Sequence, residues 1–597
     1  MKEFFKYTLA TICGIVILGI ISGILFMISL ASIIVQGNQT TKAEKNSVFV
    51  LKLNGVVQER CEDDNPLTLL LGEVDMEAMG LEDIVASIKK AKDEENIKGI
   101  YIEGGVASFD APATAQQIRD ALKDFRKSGK WVVAYADQYL QANYYVSSVA
   151  DKVYLNKTGM IDFKGLGGQS EYLKGLYDKL GIKYQVAKVG KYKSYVESNT
   201  QTGMSEYDRE QRTVYYNGIW NYWLKEIAES RQVKTDELNQ LANDSIVALA
   251  DAKDYLTAKL VDGLMYPDEV SKEIKKRLQI DEDDDINQLT LADMKNLPKK
   301  DKDKGDEIAV YYAYGSIVDS ETTGVFSTEH SIVGTTTVED LNNLAKDDNV
   351  KAVVLRVNSS GGSANASEQI WHAIKQLKEK KPIVVSMGGA AASGGYMISA
   401  AANYIIAEPT TITGSIGIFG LIPNFSGLVT DKLGVTFDGV KTNKFTDYEQ
   451  QLVLGKENSQ EMRYVQSYVD RGYINFLDIV ADGRKMKRDE VDSIGQGRVW
   501  LATDAVKIKL VDQLGSLDDA VKKAAELAKV EKYYSASYPA PASWFEQLLD
   551  EQKKKKSYLD GELREVLGDL YQPFAELRRD MKSSRLQAKL PYRLEVK

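Results

Sequence analysis

The sequence predicts an α/β fold made of two copies of one unit, preceded by an N-terminal transmembrane helix. Three observations support this prediction. An apolar segment lies near the amino terminus, and the rest of the chain repeats itself at an offset of about 250 residues. Each copy also alternates short Val/Ile/Tyr-rich runs with longer helical periodicities. This alternation is typical of βα units with parallel strands.

The apolar segment Thr8–Val35 carries no charged residue and consists mainly of Ile, Leu, Val, Ala, Phe and Gly. Roughly 20 apolar residues cross a bilayer, whereas a cleaved signal peptide has an apolar region of only about 7–15. We therefore expect residues 1–45 to form a short cytoplasmic end and an uncleaved signal anchor. Lys2 and Lys6 precede the span, so the positive-inside tendency places the bulk of the chain on the other side of the membrane.

The repeat consists of matches in the same order along both halves. The matched pairs are VFVLKLNGVV from Val48 with IAVYYAYGSIV from Ile308, Ala115–Phe125 with Ser367–Leu377, and Leu260–Leu264 with Leu510–Leu514. We predict an N-terminal repeat at 46–280, a charged linker at 281–306, a C-terminal repeat at 307–530 and a C-terminal extension at 531–597.

Composition excludes several classes of function. The chain has 86 acidic against 76 basic residues, which argues against a nucleic-acid partner bound through phosphate neutralisation. It has only two histidines, His330 and His372, and two cysteines, Cys13 and Cys61. That scarcity excludes a structural His/Cys zinc site and disfavours mechanisms that need several histidines. No metal or cofactor is expected, because no cofactor-binding loop stands out.

Differences between the copies indicate where the chemistry lies. In the second copy the strand Pro382–Met387 runs into a Gly/Ala-rich turn that contains Ser393, and an Ala-rich helical stretch follows. Small neighbours let a substrate backbone approach such a turn, and a helix amino terminus favours developing negative charge. The equivalent residue of the first copy is Gln141. Ser393 is therefore the candidate nucleophile.

A second glycine turn lies upstream in the same copy. Gly361 and Gly362 follow the apolar strand Ala352–Val357, where their N–H groups are free to point into a cavity. Together with the N–H of Gly394, one of these groups forms a candidate oxyanion hole for acyl transfer.

A serine nucleophile needs a base. A lone helical histidine such as His372 is usually an ordinary surface or packing residue, which leaves a carboxylate or a lysine of lowered pKa. In the first copy Lys193 stands where the second has Thr446, whereas the neighbouring Lys191 is retained as Lys444. A lysine unique to the copy without the serine fits a dyad divided between the copies, although the residues alone do not exclude a carboxylate.

Several motifs resemble the protease IV family of serine peptidases, in its long signal peptide peptidase A form. The motifs are Asn358–Ser363 (NSSGGS), Ser386–Ser399 (SMGGAAASGGYMIS), Thr413–Gly420 (TGSIGIFG), Tyr192–Glu197 (YKSYVE) and Gly497–Trp500 (GRVW). The resemblance covers roughly residues 1–530.

The resemblance implies a crotonase-like (ClpP-like) fold in each half. It also implies Ser393 as nucleophile, Lys193 as general base, and Gly394 with one glycine of the pair Gly361–Gly362 as oxyanion donors. Ser415 is a possible hydrogen-bonding partner that orients the lysine. Members of this length are tetrameric periplasmic particles tethered to the bacterial inner membrane, and they degrade remnant signal peptides. The expected partners are therefore apolar peptides, the inner membrane and other copies of the chain.

Two other functions stay open at this stage. A crotonase-like fold also supports acyl-CoA enzymes, which hold a thioester enolate with paired backbone N–H groups. A catalytically silent membrane scaffold, in which the repeats only oligomerise, is the other alternative.

Overall fold

Two sheets of matching strand order form the framework of the protein. The computed structural model describes residues 41–61, 78–244, 251–298, 305–320 and 330–540, and the backbone alone of residues 587–589. Within these ranges no helix is both long enough and apolar enough to cross a bilayer. The predicted span Thr8–Val35 lies outside the described residues.

The N-terminal repeat contains a six-stranded parallel sheet and a small three-stranded sheet. Its strands are β1 (Ser47–Lys52), β2 (Val56–Gln58), β3 (Ala78–Gly80), β4 (Ile97–Glu103), β5 (Ser108–Phe109), β6 (Trp131–Tyr139), β7 (Lys152–Ile161), β8 (Lys183–Lys188), β9 (Gly263–Leu264) and β10 (Gln288–Leu289). Its helices are α1 (Leu81–Asp93), α2 (Pro112–Arg126), α3 (Gln141–Ser147), α4 (Lys174–Leu180), α5 (Glu197–Thr200), α6 (Glu206–Arg231), α7 (Thr235–Asp244), α8 (Ala252–Thr257), α9 (Pro267–Leu278) and α10 (Leu291–Asn296). The large sheet has the order β10-β1-β4-β6-β7-β9, and the small sheet has the order β3-β2-β5.

The C-terminal repeat is built in the same way. Its strands are β11 (Asp306–Tyr314), β12 (Ser316–Val318), β13 (Ser331–Val333), β14 (Val350–Ser359), β15 (Gly361–Ser363), β16 (Ile383–Ala392), β17 (Tyr404–Ala407), β18 (Ile412–Gly414), β19 (Phe419–Asn424), β20 (Val499–Leu501), β21 (Gln513–Leu514), β22 (Tyr533–Tyr538) and β23 (Gln587–Lys589). Its helices are α11 (Gly334–Lys346), α12 (Ala364–Lys378), α13 (Gly394–Ser399), α14 (Tyr448–Leu454), α15 (Gln460–Arg484), α16 (Arg488–Ile494), α17 (Ala502–Ala505) and α18 (Leu517–Ala528).

Strand order confirms the predicted tandem α/β repeat. In the second copy β22, β11, β14, β16, β17 and β21 lie side by side and parallel, which reproduces the order β10-β1-β4-β6-β7-β9 of the first. Strand β18 pairs with the far end of β16, and β20 runs antiparallel to β18. The additional strands β18 and β20 lie beside the turn that contains Ser393.

Local sequence explains these elements in both copies. Strands β14 and β16 are buried along almost their whole length, as expected for parallel strands in an α/β fold. The two longest helices carry the same terminal signals. Ser205 and Ser459 accept a backbone N–H at the amino ends of α6 and α15, and Gln232 and Lys485 end these helices in the left-handed conformation.

The segment between the repeats is more ordered than predicted. Residues 281–306 were expected to form a charged linker, yet this segment contains β10 and α10, and β10 pairs with β1. Strand β22 pairs with β11 at the equivalent edge of the second sheet, within the predicted extension 531–597. Each repeat therefore ends with an edge strand that follows its last long helix. The charge composition of these segments does not predict either strand.

Strand β8 leaves its own repeat and joins a sheet of the other. The third sheet has the order β13-β12-β15-β23-β19-β8, in which β8 runs antiparallel to β19. Lys183 lies opposite Asn424, and Lys188 lies opposite Phe419. The crossing places the chain that follows β8, including Lys193, against the C-terminal repeat.

Candidate active site

Ser393 lies at the sharp turn between β16 and α13. Its backbone angles are φ 55° and ψ −114°, a conformation that residues other than glycine rarely adopt. The Ser393 N–H donates to the Gly414 carbonyl at 2.8 Å, and its side chain is fully buried. A Cβ at Gly395 would lie 2.7 Å from the Ser359 carbonyl oxygen, so this helix start packs closely on the end of β14. A strained strand-to-helix turn is also how α/β hydrolases present a nucleophilic serine.

Lys193 follows β8 and immediately precedes a short 3-10 turn. Gln211 of α6 holds this segment: its Nε2 donates to the Tyr192 carbonyl at 3.1 Å and to the Ser194 hydroxyl at 2.8 Å. The Gln211 Oε1 accepts the N–H of Val499 in β20 at 3.2 Å. One buried amide therefore fixes the Lys193 segment to the sheet that carries the Ser393 turn.

The structure brings Lys193 and Ser393 into hydrogen-bond contact. The Lys193 Nζ lies 2.8 Å from the Ser393 Oγ, and both side chains are 0% exposed. Burial lowers the pKa of the Lys193 amine well below its ordinary value, and no carboxylate among the described residues is hydrogen-bonded or ion-paired to it. The site therefore favours the neutral amine, the form that accepts a proton.

Ser415 supplies two further contacts to the same amine. The Lys193 Nζ lies 3.0 Å from the Ser415 Oγ and 3.1 Å from the Ser415 carbonyl oxygen. Ser415 has φ 49°, and its own N–H donates to the Arg498 carbonyl at 2.7 Å. This unusual backbone conformation turns both the hydroxyl and the carbonyl of one residue towards the lysine.

The predicted oxyanion glycines lie beside the serine turn, because α13 packs against β15. The N–H of Gly394 has no intrahelical acceptor, since this residue is the first of α13. Gly361 has φ 100°, and its N–H donates to the Ser359 hydroxyl at 3.1 Å. A Cβ at Gly362 would overlap the carbonyl of Ile317 in β12. Both positions of the pair therefore require glycine for backbone reasons.

A slot one strand wide lies between β15 and β19. The backbone of β23 occupies it and runs antiparallel to both neighbours, with Gln587 opposite both Ser363 and Phe419, and Lys589 opposite Gly361. The slot therefore accepts an extended peptide backbone directly beside the glycines of β15.

Gly497 is a site residue that sequence reasoning did not single out. It has φ 77°, and a Cβ there would lie 2.7 Å from both the Cβ and the backbone nitrogen of Lys193. The only signal for it was its place in the Gly-Arg-Val-Trp motif. The backbone carbonyl of Ser415 was also missed, because no residue type identifies a carbonyl ligand.

The two histidines have partners elsewhere. His372 lies on the exposed face of α12, with its Nε2 3.2 Å from the Gln376 Nε2. The exposed His330 stacks on the Tyr314 ring with centroids 3.7 Å apart. The Ser393 hydroxyl is hydrogen-bonded to the Lys193 amine and to the Gly417 carbonyl, so neither histidine is its partner among the described residues.

Family comparison agrees with the tandem repeat. The model of peptidase family S49 matches residues 124–281 and again residues 375–531, which together exceed half of the chain. The chain belongs to peptidase family S49. The Clp protease model also matches residues 305–411 of this S49 chain, in agreement with the predicted ClpP-like units.

Relatives extend the S49 assignment to most of the chain. It is 37% identical to Protease 4 of Salmonella typhi, over 84% of this chain and 82% of that protein. It is 28% identical to the chloroplastic serine protease SPPA of Arabidopsis thaliana, over 82% and 70% of the two chains. It is 36% identical to a putative signal peptide peptidase SppA of Enterococcus faecium, over 34% and 60%. The prediction of a serine peptidase is confirmed.

The first repeat of this S49 peptidase keeps the scaffold without the serine. Tyr144 and Tyr396 are equivalent, and their hydroxyls donate to the carbonyls of two equivalent leucines at 2.7 and 2.9 Å. Gln141 lies where the second repeat has Ser393, and its Oε1 accepts the N–H groups of Lys164 and Gly165 at 2.9 and 2.8 Å. In the first repeat the Gln141 side-chain amide, which holds the backbone, thus stands in place of the Ser393 hydroxyl.

Proposed function

We propose that this chain is a membrane-anchored serine endopeptidase that degrades remnant signal peptides through an acyl-enzyme on Ser393, with Lys193 as general base. In this proposal residues 1–45 anchor it in the bacterial inner membrane, with the bulk of the chain in the periplasm. The repeat at 46–280 supplies the base and the repeat at 307–530 supplies the nucleophile. The active site is then complete only when both repeats are in place.

The observation that carries the proposal is the 2.8 Å contact between the Lys193 Nζ and the Ser393 Oγ, two fully buried side chains. A general base must lie within hydrogen-bond reach of the proton it removes. A lysine must also be neutral to act as a base, and burial lowers its pKa. Geometry and charge state therefore favour the same role.

The reaction cycle follows from this arrangement. The Ser393 Oγ attacks the peptide carbonyl carbon while the Lys193 amine takes the hydroxyl proton. The N–H of Gly394 and one N–H of the pair Gly361–Gly362 stabilise the oxyanion. The C–N bond breaks as Lys193 returns the proton to the leaving amine. Water then attacks the ester with Lys193 as base, which releases the carboxylate product and restores Ser393. Ser415 orients the amine throughout.

The slot between β15 and β19 supports an extended peptide substrate. Main-chain hydrogen bonds to both edges give affinity without demanding one sequence, as in other strand-addition sites. Tyr195 and Phe419 lie with ring centroids 5.1 Å apart at the start of β19, which favours apolar side chains nearby. The name of the Enterococcus faecium relative, signal peptide peptidase, points to the same substrate class. We also propose that the enzyme works as a homotetramer, as the family resemblance implies.

A fluorophosphonate probe and an apolar fluorogenic peptide test the proposal. The detergent-solubilised full chain should be labelled at Ser393, and Ser393→Ala should abolish labelling and hydrolysis. Lys193→Ala should lower kcat by at least about 10²-fold, the usual effect of losing a general base. Lys191→Ala, an exposed lysine two residues away, is the matched control and should keep parental activity.

Other outcomes separate the alternatives. Parental hydrolysis by both Ser393→Ala and Lys193→Ala would show that the dyad is wrong. Turnover of an acyl-CoA thioester without labelling of Ser393 would favour the crotonase-like alternative. Absence of labelling and of any turnover would favour a silent scaffold.

A further inference from the structure

The strand that leads to Ser393 contains a bulge opposite Asn358. Between two opposed pairs of residues, β14 advances by two residues while β16 advances by four, from Met387 to Ala391. Beyond the bulge β16 pairs again with β14 and also with β18, and Ser393 follows directly. Because side chains alternate along a strand, a slip of one residue at the bulge would turn over the last residues of β16. The bulge therefore determines where the Ser393 turn begins and which way it faces.

The Asn358 side chain holds this bulge. Its Oδ1 accepts the backbone N–H of Ala390 at 3.1 Å. The preceding Gly389 packs closely on both repeats, since a Cβ there would lie 3.2 Å from the Asn358 Oδ1 and 2.2 Å from the Cβ of Ala111. A bulge leaves backbone groups without a partner on the neighbouring strand. One side chain of β14 therefore supplies the acceptor that the β14 backbone does not offer to Ala390.

Two carboxylates of the first repeat orient the Asn358 amide. Its Nδ2 donates to the Glu59 Oε2 at 3.1 Å and to the Asp110 Oδ2 at 3.0 Å. Glu59 is 3% exposed, and its Oε1 accepts the Arg356 Nε–H at 2.6 Å. An amide nitrogen only donates and an amide oxygen only accepts, so these carboxylates hold the oxygen towards Ala390. The first repeat is thus linked to the bulge by a chain of hydrogen bonds.

The first repeat has a different residue at the position of Asn358. The offset that pairs Gln141 with Ser393 places Val106 there. Val106 has no side-chain donor or acceptor, and it is 48% exposed. Of these two equivalent positions, only the one in the repeat with the nucleophile carries an amide.

We propose that Asn358 is a positioning residue for Ser393, and that Glu59 and Asp110 of the first repeat act through it. Asn358 acts on the backbone of the strand that ends at the nucleophile. The first repeat then contributes twice to the site, because it supplies Lys193 and also fixes the strand that carries Ser393. The inference deepens the proposed peptidase function and rests on it, since its main effect is measured on that reaction.

The charges around Asn358 make this role testable by pH. The titratable and charged groups that face Asn358 or its two carboxylate partners are Glu59, Asp110, Arg356, Glu408 and Tyr312. Asp110 is open to solvent on one side, yet desolvation by the protein around it and the Glu59 carboxylate raise the pKa of Asp110 to about 6. An aspartate at position 358 would add a third carboxylate, which should therefore bind a proton at mildly acidic pH. Its hydroxyl would then donate to a neighbouring carboxylate while its carbonyl oxygen accepts the Ala390 N–H, as the amide does.

Kinetics of Asn358→Asp at two pH values test the proposal in the detergent-solubilised full chain. At pH 8 its kcat on the fluorogenic peptide should lie about 10²-fold below that of the parent, with KM within about twofold, because misplacing a catalytic group costs about that much in rate. At pH 5.5 its kcat should recover to within about threefold of the parent at the same pH, as the new carboxyl binds a proton. Asn358→Leu has no acceptor to regain, so its kcat should stay about 10²-fold low at both pH values.

Asn403→Asp is the matched control at the other end of β16. The Asn403 Oδ1 accepts the Ile383 N–H at 2.9 Å. The first repeat has Asp151 at the equivalent position, where its Oδ2 accepts the Val132 N–H at 2.8 Å. An aspartate therefore serves at this place, and the variant should keep the parental kcat at both pH values.

Hydrogen exchange separates this inference from the proposed reaction. In Asn358→Leu the amides of residues 387–393 should exchange at least about tenfold faster than in the parent, because the bulge opens locally, while those of β11 should be unchanged. Parental kcat in Asn358→Leu, or a defect in Asn358→Asp that does not shrink as pH falls, overturns the proposal. Faster exchange of the bulge in a chain whose parent neither hydrolyses the peptide nor is labelled at Ser393 would support the positioning and count against the proposed peptidase function alone.

Discussion

Replacing Gly497 by alanine tests whether the position of the Lys193 amine limits catalysis. A Cβ at residue 497 would lie 2.7 Å from the Cβ and the backbone nitrogen of Lys193, and 2.9 Å from its Cα. Ordinary contacts between such atoms lie at about 3.5–4.0 Å. The Lys193 backbone must therefore move away from Gly497 by about 1 Å.

A shift of that size is large for a dyad joined by a 2.8 Å contact. Misplacement of a catalytic group by about 1 Å costs about 10²-fold in rate. We expect kcat to fall about 100-fold, which corresponds to about 2.7 kcal/mol of lost transition-state stabilisation. The variant also loses about 1–2 kcal/mol of stability, because alanine at φ 77° is strained.

Gly129→Ala separates the two effects. Gly129 has φ 82°, and a Cβ there would have no described atom within 4 Å, so alanine costs the same backbone strain without a collision. We expect this control to keep parental kcat on the fluorogenic peptide while it loses a similar amount of stability in denaturant unfolding. If Gly497→Ala keeps kcat within twofold of the parent, the placement of the amine does not limit the reaction.

Three further predictions concern pH and the slot. Hydrolysis measured as kcat/KM should rise with pH as Lys193 loses its proton. Because burial lowers the pKa of this amine, the rise should lie well below pH 10.5. A rise at the ordinary lysine pKa would contradict its burial. A chain ending at Ala540 should hydrolyse a short peptide with lower KM, because β23 no longer fills the slot; an unchanged KM would show that the strand does not compete. Burial raises the pKa of Glu408, and its Oε1 has no hydrogen-bond partner among the described residues. The stability contributed by the bound proton is therefore present at low pH and lost as pH rises through the folded-state pKa. We expect Glu408→Gln to unfold at a higher denaturant concentration than the parent at pH 8, and the free energy of unfolding to depend less on pH. Equal unfolding midpoints at pH 8 would refute this.

The repeat and the serine turn could be predicted because both depend on local patterns. Strand and helix alternation follows from hydrophobic periodicity, which each copy shows independently. The turn around Ser393 is recognisable from its run of Gly and Ala, because only small residues fit where the helix start packs on the end of β14, as at Gly395. Comparison of the two copies also favoured Lys193 over Lys191 as the candidate base, because only Lys191 has a lysine counterpart in the second copy.

The edge strands could not be predicted in the same way. Strand β10 lies in a strongly charged segment, and its pairing with β1 depends on a free strand edge 240 residues earlier in the chain (288 − 48 = 240). The charge composition of a segment indicates that it is exposed to solvent. It does not show which strand edge elsewhere in the fold is free to pair with that segment.

The sequence by itself determined two α/β copies, the serine and its glycine-rich turns, and the candidate lysine. Only the tertiary structure decided that these groups meet. Lys193 and Ser393 are 200 residues apart, and their contact depends on β8 crossing to pair with β19 of the other repeat. The burial that lowers the pKa of Lys193 and the close approach of Gly497 both depend on that crossing. Such contacts join segments from both repeats, so no local pattern in either segment specifies them.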